Sequence, residues 1–76
     1  MTFRTENTLY TLRDAGDGGF LISGHPRYCP KPVLVRLAAE PAKGRPVIWE
    51  YVGKPPSGLR RHVITTPVME VSDATN

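Results

Sequence analysis

The residues of this chain best equipped for chemistry are its two histidines and its single cysteine. His25 and Cys29 stand at an H-x3-C spacing inside GHPRYCPKP, residues 24–32, and His62 lies far downstream. Imidazole nitrogen and thiolate sulfur are zinc ligands, and a thiol beside an imidazole is a nucleophile with its base. The surrounding sequence completes neither chemistry. A structural zinc site takes four protein ligands and a catalytic one takes three plus water. Two of the three His and Cys candidates sit in one loop stiffened by Pro26, Pro30 and Pro32. A nucleophilic Cys29 needs a base that a third group orients, and no acid or amide stands at an evident spacing to fill that role. The expectation is no metal, no cofactor and no catalytic residue, with Cys29 acting as a small, half-buried apolar side chain.

The same stretch reads better as a recognition loop. Three prolines restrict it before any partner arrives, which lowers the ordering cost of binding, and Arg27, Tyr28 and Lys31 are long or aromatic groups suited to contact surfaces. A second stretch, GKPPSGLRR (residues 53–61), places Lys54, Arg60 and Arg61 around a Pro-Pro-Ser-Gly turn. An antiparallel barrel that brings the two loops together would surround Tyr28 with five cations. The competing reading is a stiff connector in which Tyr28 packs its ring on the barrel end and the prolines act only on the unfolded chain. There is no Walker loop, dinucleotide fingerprint, zinc knuckle or aromatic RNA-binding signature.

Charge follows the same segmentation. Net charge is +3, but residues 25–61 hold eight Lys and Arg against two acids, and the remainder holds two against five. The middle of the chain is basic and its ends are mildly acidic, a field that favours an anionic partner.

These residues must be positioned by strands. At 76 residues the chain is one domain, near the size at which a single core only just offsets backbone ordering, and one cysteine cannot supply an internal disulfide. Seven glycines and eight prolines fall between short apolar runs. Residues 7–13 (NTLYTLR) alternate with Tyr10 and Leu12 inward, and DAGDGG forms a hairpin turn into GFLISG. Residues 33–39 turn Val33, Val35 and Leu37 to one face with Arg36 opposite. EPAKGRP turns the chain, with Gly44 left-handed or PAKG forming a single helical turn. Residues 47–53 direct Val47, Trp49 and Tyr51 to the core. The last run, HVITTPVMEV (residues 62–71), contains Pro67, which has no N–H for a ladder and so marks an edge, a bulge or a corner between two short strands. A corner lets the two halves pair with different neighbours.

The reading is all-β: a small five-stranded SH3-like barrel or a rolled antiparallel sheet. An oligonucleotide-binding barrel is disfavoured because EPAKGRP is too short for its helix. Residues 1–6 are assigned to an N-terminal arm, 7–71 to a single β domain and 72–76 to a frayed polar tail. No apolar run is long enough to span a bilayer and the first residues show no secretion-type apolar segment, so a cytosolic location is expected.

GRPVIWEYVG followed by TTPVMEV, within residues 44–71, resembles very small β proteins of actinobacteria and their phages, generally without assigned function. The resemblance implies an intracellular accessory protein, and a phage origin would imply a binder of a host component. It carries over no functional residue.

The expected function is therefore a non-enzymatic module that binds a protein through Arg27, Tyr28, Lys31, Lys54, Arg60 and Arg61. Nucleic-acid binding by the same loops is the alternative, and a self-assembling structural subunit the third reading. An uncapped edge also predicts a homodimer, through TTPVMEV or the strand containing Trp49.

Overall fold

The computed structural model describes residues 1–72. Seven strands form one antiparallel sheet: β1 (Thr2–Arg4), β2 (Leu9–Gly16), β3 (Gly19–Ser23), β4 (Val33–Leu37), β5 (Pro46–Tyr51), β6 (His62–Pro67) and β7 (Glu70–Ser72), in the order β6-β5-β4-β3-β2-β1-β7. No helix among the described residues is long and apolar enough to cross a membrane.

The β2–β3 hairpin closes as its sequence predicts. Asp17 and Gly18 both take positive φ (53° and 75°), the signature of the two-residue turn that matches strand twist. Ala15 is an extra residue between the Asp14–Phe20 and Gly16–Gly19 pairs, and Asp14 Oδ1 accepts the Gly16 N–H at 2.8 Å. The bulge tightens the twist at the hairpin tip.

Alternation selects the core. Tyr10 and Leu12 of β2, Val35 of β4, and Val47, Trp49 and Tyr51 of β5 are buried, with Phe3, Ile22, Val63, Val68 and Cys29 completing the cluster. Val33 and Leu37 pack against it from the same face as Val35 while Arg36 is exposed. Tyr10 and Tyr51 each present an edge-to-face contact to Trp49, with centroids 5.8 Å and 6.3 Å away.

Pro67 is the corner. β6 pairs with β5 and β7 pairs with β1, so the chain passes from one end of the sheet to the other between Pro67 and Glu70. Laid flat, those end strands would stand about 29 Å apart at the usual inter-strand spacing. Three residue steps span at most about 11 Å, so the sheet must curve around its core. Val68 fixes the bend from one side, its N–H donating to the Arg45 carbonyl and its carbonyl accepting from Gly44 N–H, both at 2.8 Å. Met69 N–H donates to the Arg4 carbonyl at 2.7 Å on the other. Among the described residues no ladder joins β6 to β1, β2 or β7, so the sheet is not closed.

Three expectations are corrected. Among the described residues there are seven strands and not five, because the last run divides at Pro67 and because residues 1–6 are not a free arm: Thr2–Arg4 pair with β2 and β7, and Phe3 is fully buried. A three-residue strand is too short to show a period. PAKG forms no helical turn; Gly44 is left-handed at φ 86°, and Lys43 bridges Val68. Of the expected tail, Ser72 belongs to β7 and residues 73–76 lie outside the described residues.

Candidate interaction surface

The loop from Gly24 to Pro32 is built from its own backbone inward. Gly24 has φ 123°, and a Cβ there would run into the Leu9 carbonyl, so only glycine lets the loop start this close to β2. His25 then organises the turn. Its Nδ1 accepts the N–H groups of Arg27 at 3.1 Å and Tyr28 at 3.2 Å. Its carbonyl accepts Cys29 N–H at 3.0 Å, and its own N–H donates to Cys29 Sγ at 3.4 Å. An accepting Nδ1 requires the neutral ring with its proton on Nε2. Burial, followed by the positive charge of Arg27, holds the imidazole below its ordinary pKa and keeps that state.

This arrangement fixes where the three His and Cys side chains stand. Cys29 is buried at 1% exposure, and desolvation pushes its thiol up, away from the thiolate, with the His25 N–H acting weakly the other way. His25 spends its Nδ1 on backbone groups. His62 faces outward on β6, where Nε2 lies 4.0 Å from Glu50 Oε2. Among the described residues no three His, Cys, Asp or Glu side chains gather as metal ligands.

Tyr28 both packs on the core and borders open surface. Its ring is half-buried against the core and lies 4.4 Å from the His25 ring, as a connector would have it. Its carbonyl accepts the Tyr51 hydroxyl at 2.7 Å, which ties the loop to β5. It also lines two adjoining grooves. One, of about 240 Å³, has Arg27 and Tyr28 on one wall and Leu59, Arg60, His62 and Ile64 on the other. The second, of about 210 Å³, lies between Thr5, Asn7, Thr8 and His25 on one side and Ile64, Thr65 and Thr66 on the other. Tyr28 and Ile64 border both grooves.

The second loop reaches this place through Leu59. Leu59 N–H donates to the Pro56 carbonyl at 3.0 Å across a turn whose third residue is Gly58 at φ 81°, and the Leu59 side chain packs on the core. Arg60 then lines the groove. Arg61 is adjacent, its carbonyl accepting Tyr51 N–H at 2.9 Å and its Nη1 donating to the Tyr51 carbonyl at 3.4 Å. Arg27, Tyr28 and Arg60 thus share one groove, with Arg61 beside it. Lys31 and Lys54 are exposed and line neither groove.

The sequence did not single out Ile64, Thr65 or Leu59. The signal was present in HVITTP, where Ile64 falls on the polar face between His62 and Thr66; it is 68% exposed. A separate apolar cleft of about 360 Å³, lined by Met1, Leu12, Phe20, Leu37 and Pro41, was also not anticipated. Comparison with known protein families, curated proteins and solved structures finds no match.

Proposed function

We propose that this chain is a non-enzymatic module that binds another protein along the grooves between the Gly24–Pro32 loop and β6. The observation that carries this reading is the convergence of Arg27 and Tyr28 with Leu59 and Arg60 on one preformed groove, from segments far apart in the chain. Both loops are held by hydrogen bonds and prolines, so little freedom is lost when a partner seats. Nucleic acid is the weaker fit. Base stacking needs an open aromatic face, and Tyr28, the aromatic on these grooves with cations beside it, rests against His25 and the core.

The test is affinity capture from nuclease-treated lysate at two salt concentrations, using the wild type and an Arg27→Glu/Arg60→Glu variant. A protein retained by the wild type after nuclease and lost by the variant supports the reading. Loss of every partner on nuclease treatment, with a steep salt dependence, would assign the surface to nucleic acid instead.

A further inference from the structure

We infer that β6 receives an extended acidic peptide as an added strand, filling the seam where the sheet is not closed. The inference rests on the binding-module reading and specifies its partner.

Among the described residues β6 is an end strand, paired with β5 alone. Register fixes which of its backbone groups are spent. Tyr51 N–H donates to the Arg61 carbonyl, and Glu50 stands opposite His62 and Trp49 opposite Val63. In an antiparallel ladder hydrogen-bonded pairs alternate, so the N–H and C=O of Arg61 and Val63 face β5 while those of His62 and Ile64 face away. Among the described residues those outward groups have no backbone partner across the seam. Beyond Ile64 the edge is interrupted: β6 carries one extra residue before Pro67, and Val47 N–H turns to Thr65 Oγ1 at 2.9 Å. The free edge is therefore short, which limits runaway pairing yet leaves two residues able to exchange four hydrogen bonds with an incoming strand.

The grooves run beside these groups. Their opposite wall is made by Thr5, Asn7, Thr8, His25 and Tyr28, so an added strand has a floor at Tyr28 and Ile64 and a wall facing β6. Charge names the occupant. One end is flanked by Arg27 and Arg60, with Arg61 adjacent, while the other is lined by uncharged threonines and Asn7. Glu50 on the neighbouring strand is already turned to His62. An acidic segment complements this seam, whereas a second copy brings a chain of net charge +3.

The probe is a capped heptapeptide alternating valine and glutamate, compared with its lysine-for-glutamate counterpart and with two versions N-methylated on all valines or on all glutamates. Anisotropy titration of labelled peptide is joined to amide exchange in the full chain. The acidic peptide is expected to bind at least tenfold more tightly than the lysine peptide, to slow exchange at His62 and Ile64 at least tenfold, and to lose binding in one of the two N-methylated versions. Absence of binding, or binding that leaves those two amides unprotected, overturns the proposal. Ile64→Pro removes an outward donor without touching the β5 ladder. If that variant keeps its melting transition and still captures the wild-type protein partner, strand addition is wrong while the binding-module reading stands. Loss of capture by Ile64→Pro alongside retained folding supports both. Sedimentation showing a dimer that Ile64→Pro dissociates would give the seam to a second copy and overturn the acidic occupant.

Discussion

The Tyr51 hydroxyl donates to the carbonyl of Tyr28 at 2.7 Å, a bond between β5, whose Val47, Trp49 and Tyr51 lie in the core, and the loop that forms one wall of the grooves. The loop backbone is thus positioned by a core side chain and not by solvent. Tyr51→Phe keeps the ring and its contact with Trp49 but leaves a carbonyl without its donor. We expect a stability loss of about 1 kcal/mol, the usual net worth of such a bond. Faster amide exchange at Arg27 and Tyr28 should accompany it, with β2 and β3 unaffected. Unchanged exchange in the loop would show that the His25 turn holds itself.

The buried position of Phe3 gives the N-terminal strand a structural weight out of proportion to its three residues. Phe3 stacks on Tyr10 with centroids 4.8 Å apart and 16° between planes, and it is fully shielded from water. Truncating a buried phenylalanine costs about 3–5 kcal/mol, a large share of the stability a small domain has. Phe3→Ala should be substantially unfolded in a urea titration at 25 °C. A change within about 0.5 kcal/mol, as for an exposed site, would return residues 1–6 to the status of an arm.

What could be read in the sequence was what two-residue alternation and turn chemistry encode locally. Tyr10 with Leu12, Val33 with Val35 and Leu37, and Val47 with Trp49 and Tyr51 all point where their spacing directs them. Gly44 and the Asp17–Gly18 turn take the positive φ their types allow. Pro67 marks the corner because a missing N–H has consequences wherever it falls. Closure is a different matter. Whether β6 meets β1 or stops short depends on strand twist and on a bulge at Thr65, neither of which has a local period. The candidate surface was half legible for the same reason. Arg27, Tyr28 and Arg60 stand out by type, but the role of His25 Nδ1 as a loop acceptor and the outward groups of Ile64 exist only once the register is set.

High pH should destabilise the fold through buried acids that are neutral in it. Desolvation pushes the Tyr10 phenol up to about 12, with smaller raising effects from Cys29 and Tyr28 and a hydrogen bond involving Thr8 acting against them. The Tyr51 phenol and the Cys29 thiol are raised by burial as well. Each group keeps its proton in the folded chain over a range where the unfolded chain has released it. The folded state then binds more protons, and stability falls as pH rises through that range. For Tyr10 the range runs from about 10 to about 12, with a slope near 1.4 kcal/mol per pH unit and a total of roughly 2–3 kcal/mol. Cys29 begins to contribute earlier, because an ordinary thiol titrates below an ordinary phenol. Between pH 7 and 8 these groups leave stability flat. Urea midpoints measured from pH 7 to 12 should hold steady and then drop, and Tyr10→Phe should remove about half of the drop. A wild-type midpoint that stays level to pH 12 would mean that the phenol of Tyr10 reaches water in the folded chain.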